Sequence, residues 1–240
     1  MFIPRILSKA PFSIARIRIQ ICADEWTATP DYDGLVDVAW ESMVFHASRP
    51  IWDGTYYRVV DAGELEIRTE VGLMQLGTIR YRYIATFPAL HQHHARCGLD
   101  PLYHLSTTAL IRTIDGYYLF GRRTRNGSID LIGGGVQSDE LVVSGGPSVE
   151  QNLYKEIHEE VGICEDDIEE LTGIGIVLSG TSNVLIVGNA RVWLSKSDAI
   201  TRFGQRTEDE MTEPAFVPED KLRSFLRDMT GYRKLIAELL

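Results

Sequence analysis

The strongest constraint on this chain is a helix whose two ends and one face can all be read from residues 148–162. Ser148 is a favoured N-cap, and Gln151, three positions on, completes the pattern of a capping box. Gly162 supplies the left-handed residue at which helices commonly end. Between them Val149, Leu153, Ile157 and Val161 recur every four residues and form one apolar stripe. Glu156, Glu159 and Glu160 lie beside that stripe, within about 100° of arc. Each like-charged pair costs about a few tenths of a kcal/mol in water, and more when partly desolvated. The helix dipole opposes negative charge in this C-terminal half. Lys155 is the one close cation in the sequence, and it sits near Glu159. A hard divalent ion would resolve the conflict, since Mg2+ takes oxygen ligands. The bland alternative is an acidic face in water.

Charge distribution bears on the choice. The 240 residues carry 24 Lys+Arg against 34 Asp+Glu, a net charge of −10. Residues 150–240 hold 18 of the acids and 10 of the bases, so most of the excess surrounds this helix. An acidic balance argues against a nucleic-acid polymer as partner, because a phosphate backbone wants a basic face. Hydrophobic residues make up 44% of the chain and charged residues 24%, an ordinary globular profile. No apolar run approaches the ~18 residues of a membrane span. Arg16 and Arg18 interrupt the stretch that would have to be a signal peptide. Cys22, Cys97 and Cys164 are widely separated and form no CxxC pair, which excludes a disulfide framework and a structural zinc site of the usual spacing. A reducing cytoplasm is the expected location.

Periodicity predicts strands over Ser13–Cys22, Tyr56–Val60, Glu64–Thr69 and Gly77–Ala85, with helices over Leu35–His46 and Pro88–Ala95 and a turn at Asp31–Gly34. From His104 the texture changes: strands His104–Thr113 and Tyr117–Arg122 flank the tight turn Asp115-Gly116. The glycine run Gly133-Gly134-Gly135, the helix Val149–Val161, strands Leu171–Ser179 and Asn183–Leu194, and helices Lys221–Met229 and Tyr232–Leu240 follow. This order implies an α/β (α+β) chain: a small α+β domain over residues 1–100, then an α/β/α sandwich with a mixed sheet over 101–240.

The segment Lys155-Glu156-Ile157-His158-Glu159-Glu160-Val161-Gly162-Ile163 resembles the second half of the motif of the Nudix hydrolases, G-x5-E-x7-R-E-U-x-E-E-x-G-U, where U is a bulky aliphatic residue. Asp130–Gly135 resembles the glycine turn that opens that motif, and Tyr117–Arg123 the strand before it. The resemblance implies a Nudix-type sandwich. It also implies hydrolysis of the pyrophosphate bond in a nucleoside diphosphate linked to another group. By the same resemblance Glu156, Glu159 and Glu160, with the Gly133 carbonyl, hold Mg2+ or Mn2+. Glu159 or Glu160 then serves as the group that orients or deprotonates water. The acidic loop Glu208-Asp209-Glu210-Met-Thr-Glu213 is another source of a base. Arg122, Arg123 and Arg125, with Gly134 and Gly135, are candidates for the diphosphate, because guanidinium meets phosphate bidentately.

Two departures stand out. Pro147 and Lys155 occupy the positions of the motif's first Glu and its Arg, which pair in the family. Twelve residues separate Gly134 from Pro147 where the family has five, so the loop at 136–146 is longer, and its Glu140 is a candidate replacement for the missing Glu. Ahead of the motif, Ser48–Arg58 is similar to a pattern found before the catalytic domain of the branch that hydrolyses UDP-glucose and UDP-galactose. A UDP-sugar is therefore the expected substrate, with ADP-ribose, another sugar nucleotide or a coenzyme as the alternative. A binding module without turnover is the alternative of another class, and a homodimer is an allowed assembly. His91, His93 and His94 read as a polar helix face, and the four tryptophans as core or interface residues.

Overall fold

A computed structural model describes residues 3–9, 11–47, 50–60, 73–138, 148–180 and 182–240. Among these residues one sheet of ten strands has helices on both faces. The expected strand Glu64–Thr69, Glu140 and Pro147 lie outside the described residues.

In chain order the elements are β1 (Arg5–Ser8), β2 (Arg18–Glu25), α1 (Pro30–His46), β3 (Thr55–Val59), β4 (Leu73–Arg80) and α2 (Tyr81–Arg96). Next come β5 (His104–Arg112), β6 (Tyr117–Arg123), β7 (Ile129–Asp130) and α3 (Val149–Val161). Then β8 (Ile168–Leu178), β9 (Asn183–Val192), α4 (Lys196–Phe203), β10 (Met211–Pro218), α5 (Glu219–Asp228) and α6 (Arg233–Leu239) close the chain. The sheet runs β1-β8-β9-β5-β3-β4-β2, with β6 also beside β5 and carrying β7 and β10. It is mixed, since β5–β9 and β2–β4 are parallel and the other ladders antiparallel.

Alternation along β5 sorts the layers. Leu105, Ala109 and Ile111 face one core cluster, where the α3 stripe of Val149, Leu153, Ile157 and Val161 is packed. Leu110 faces the other cluster, with Leu222 and Leu226 of α5 and Ile236 of α6. Each fully buried aliphatic side chain contributes roughly 1.5–3 kcal/mol, so the four-residue stripe is the main force seating α3. The α/β/α sandwich follows from these two faces. Trp26, Tyr32, Val36, Ile79, Tyr83 and Phe87 form a third cluster between α1, α2 and the sheet.

One edge of β5 is split. Its start pairs with β3 through Arg58↔His104, and its end with β6 through Ile111↔Leu119 and Arg112↔Tyr118. The gap is filled by residues 132–136: Ala109 N donates to the Ile132 carbonyl (2.8 Å), Thr107 N to Gly134 (2.9 Å), and Val136 N to Leu105 (3.0 Å). The glycine run thus lies as an irregular strand in the split.

Several boundaries differ from expectation. The residues read as a turn, Asp31–Gly34, are the first turn of α1, where Pro30 and two Asp side chains favour a helix start. The region Gly77–Ala85 is a strand only to Arg80, and α2 begins at Tyr81. Its aromatic and β-branched residues look strand-forming, yet Tyr83, Thr86, Phe87 and His94 bury one helical face. Ser13–Cys22 divides into a 3-10 turn at Ile14–Arg16 and β2. Strands β1 and β10 and helix α4 were not expected. Of the tryptophans, Trp26 is buried, whereas Trp52 and Trp193 are exposed rather than core. Among the described residues no helix is long and apolar enough to cross a membrane.

Candidate active site

The C-terminal half of α3 meets the glycine run directly. The Gly133 N–H donates to Glu160 Oε2 at 2.8 Å, and a Cβ on Gly134 would run into the Glu156 carboxylate. Gly133 has φ +147°, and a Cβ there would strike the Thr107 carbonyl, so both conformation and space require glycine. Asn152 Nδ2 donates to Thr107 Oγ1 (2.8 Å) and ties α3 to β5 from the buried side. The helix begins at Ser148, whose Oγ accepts from Gln151 N (3.2 Å) as one half of the expected capping box, and ends at Gly162 with φ +73°.

Glu160 is 1% exposed, and Arg123 Nη1 donates to its Oε1 at 2.7 Å. The same Nη1 lies 2.7 Å from Glu210 Oε2, while Arg123 Nε is 3.5 Å from Asp130 Oδ2. Asp130 in turn accepts two bonds from Arg233 of α6, at 2.8 Å and 2.5 Å. A buried chain of alternating charge therefore runs from α3 through β6 and β7 to the C-terminal helix. Burial, together with repulsion from Glu160, pushes Glu156 up to about 8. Burial pushes Glu160 up to about 7, although Arg123 and the Gly133 N–H pull it back. Glu159 is partly exposed, and Lys155 lies 3.7 Å from its carboxylate, as the i, i+4 spacing predicts.

Beside this network lies a cavity of about 760 Å³. Gly133, Gly134 and Gly135 line it together with Arg123 and Arg125. One wall comes from the N-terminal region, where the rings of Tyr56 and Tyr81 lie 5.3 Å apart at 31°. The floor is β5, with His104, Ser106 and Thr108 on one face, and Asn183 and Leu185 of β9 beside them. Glu210, Tyr232 and Arg233 close the end nearest Arg123. His104 is held down to about 4 by burial alone and is therefore neutral at physiological pH. Tyr232 is pushed up to about 12 by burial and the Asp130 charge.

The candidates are thus not all in one place. Arg123, Arg125 and the three glycines line the cavity. Arg122 points the other way, as strand alternation requires, and pairs with Glu213 and the Gly127 carbonyl (2.6 Å). Glu156, Glu159 and Glu160 stand behind the glycine run, with Arg123 between Glu160 and the cavity. Among the described residues no group of three or more His, Cys, Asp or Glu side chains converges as a cation site. The donor set nevertheless fits a hard divalent cation: carboxylates and a main-chain carbonyl, with two acids held above their usual range by burial and repulsion. Sequence reasoning missed Tyr81, Tyr232 and Arg233, none of which carries a local signal. The acidic loop contributes Glu210, because Thr207 N and Glu208 N donate to the Glu159 carbonyl (3.2 and 3.0 Å) and so tie the loop to α3. In the His91–His94 cluster, His94 turns inward onto Trp26 (5.9 Å, 12°), His91 is half-buried with its Nδ1 3.0 Å from the Pro88 carbonyl, and His93 faces solvent.

No family model and no curated protein matches the chain. Among solved structures it is similar to the NUDIX domain of Shewanella oneidensis NrtR complexed with ADP ribose, at 14% identity over 62% of this chain and 94% of that one, with a TM-score of 0.41. It is also similar to the MutT protein from Methanosarcina mazei, at 23% identity over 57% and 88%, TM-score 0.33. A NUDIX-family hydrolase from Clostridium perfringens overlaps at 15% identity over 57% and 92%, TM-score 0.36.

Proposed function

We propose that this chain is a Nudix-type hydrolase that cleaves the pyrophosphate bond of a nucleoside diphosphate linked to a sugar, with Mg2+ or Mn2+ as cofactor and a UDP-sugar as substrate. The observation that carries the reading is the assembly of the two motif halves against each other: Glu160 is bonded to the Gly133 N–H, and Glu156 abuts Gly134. An acidic helix serving only as a wet surface would not bury two carboxylates against a glycine run. Glu156, Glu160 and Glu159 would hold the ion with the Gly133 carbonyl. Such an ion, when bound, neutralises diphosphate charge and lowers the pKa of a water.

The chain's own groups supply the rest. Arg123 and Arg125 face the cavity and suit the diphosphate. Tyr56 and Tyr81 offer an aromatic surface to a base. Glu210, which lines the cavity beside Arg123, would orient water. The choice of UDP over ADP rests on the Ser48–Arg58 pattern, whose first two residues lie outside the described ones.

A panel of UDP-, ADP- and GDP-linked sugars with Mg2+ and Mn2+, products identified by mass, tests the function. UMP and sugar 1-phosphate are the expected products, and Glu160→Gln is expected to abolish their release while leaving the fold intact. Binding of the whole panel with no turnover would support the binding-module reading instead.

A further inference from the structure

Arg123 is drawn toward three carboxylates, those of Asp130, Glu160 and Glu210. Its Nη1 is shared at 2.7 Å between Glu160 and Glu210. Its other edge, Nε with Nη2, is poorly served: Nε makes no hydrogen bond although it is buried, and its approach to Asp130 is 3.5 Å. Nη2 reaches only the Gly133 carbonyl, at 3.5 Å. Asp130 is already engaged by Arg233 at both of its oxygens. A guanidinium recognises two phosphate oxygens through such an edge, and Arg123 lines the cavity. At the same time both Glu160 oxygens are occupied, one by Arg123 and one by the Gly133 N–H. A divalent ion on Glu160 Oε1 would stand close to the Arg123 guanidinium, and like charges so placed repel.

We propose that Arg123 is a resident counter-ion of Glu160 that a divalent cation displaces, and that the displaced guanidinium serves the diphosphate, so that cation and anion bind cooperatively through one side chain. The inference rests on the hydrolase reading above. Without ligands, Arg123 neutralises Glu160. A cation on Glu160 frees Arg123 for phosphate oxygens, and phosphate oxygens draw Arg123 away from Glu160 and open it to a cation. Linkage requires the two effects to be equal.

Mn2+ binding by electron paramagnetic resonance, without substrate, and UDP binding by calorimetry in chelator give a signature of opposite signs. Arg123→Ala is expected to bind Mn2+ about fivefold or more tighter than the wild type and UDP about fivefold or more weaker. Arg112→Ala removes an equal charge at the other end of the β5–β6 pair, where Arg112 meets Glu219. It should change neither. Arg123→Lys, which keeps the charge but not the bidentate edge, should leave Mn2+ binding near wild type and still weaken UDP. Losses in both affinities, or an unchanged Mn2+ affinity, for Arg123→Ala would overturn the proposal.

If Arg123→Ala does not fold, the wild type decides. The Arg123 guanidinium nitrogen resonances should shift on Mg2+ addition, and no shift at saturating Mg2+ would overturn the proposal. Coupled binding in a chain that hydrolyses nothing would refute the hydrolase reading alone. Turnover of a sugar nucleotide without coupled binding would refute only the role of Arg123.

Discussion

At the scale of the residue, the two buried glutamates tie stability to pH. In the fold Glu156 is pushed up to about 8 and Glu160 to about 7, mainly by burial, from the ordinary carboxylate value of 4.5. The folded chain therefore binds more protons than the unfolded chain between those values. The stability these groups contribute is complete below the unfolded pKa and is lost as pH rises through the folded ones. In chelator, the melting temperature is expected to fall between about pH 5.5 and pH 8, and Glu156→Gln should flatten that fall. His104, pushed down to about 4, acts in the opposite sense and weakens the fold as pH drops below 6.5. The contrast with Glu156→Gln isolates the carboxylate. Melts at the two pH values check it, and a wild type no less stable at the higher pH, with the variant unchanged, would contradict it. Lys155→Ala should be mild in both activity and melting, since Lys155 meets Glu159 at 3.7 Å on a partly exposed face.

Elements differ in how far their own sequence determines them. The bounds of α3 were legible because its cap, its stripe and its left-handed terminus are all local. Gly162 also sits where a Cβ would run into the Arg202 carbonyl, so Gly162→Ala should cost about 1–3 kcal/mol, read as a lowered midpoint in urea. A midpoint within error of the wild type would show that α4 can move away. The start of α2 was not legible, because its cap is borrowed: Arg82 N donates to Asp53 Oδ1 at 2.9 Å, from a segment far back in the chain. Helix α4 did carry a readable signal, the reciprocal Ser195–Asp198 capping box. Strand β10 hid behind Pro214 and Pro218, which suit an edge strand paired only to β6 among the described residues. The glycine run was legible as a turn, but its place in the split edge of β5 depends on β3 and β6 and could not be read locally.

For the molecule as a whole, the cavity draws on residues far apart in the chain, from His46 to Arg233. The carboxylates and glycines of the candidate site were legible because their spacing is a motif. Tyr81 and Arg233 were not, because only tertiary folding brings them to that cavity. A ligand held there contacts both halves of the chain, so binding should stabilise them as a unit. At a UDP concentration of about 100 times Kd the gain is roughly 2.7 kcal/mol. Hydrogen exchange should then slow together in α2 and α6. Protection confined to one of them would place the ligand elsewhere.

The parallel pairing of β5 with β9 joins His104 to Asn183, and the pair Arg233–Asp130 closes the site from near the end of the chain. Such contacts between distant residues form slowly, after the entropy of closing long loops has been met. In chain order the helices α1 and α2 precede both the floor of the cavity and the residues that close its end. The cavity is therefore expected to be completed late in synthesis, once Tyr232 and Arg233 have left the ribosome.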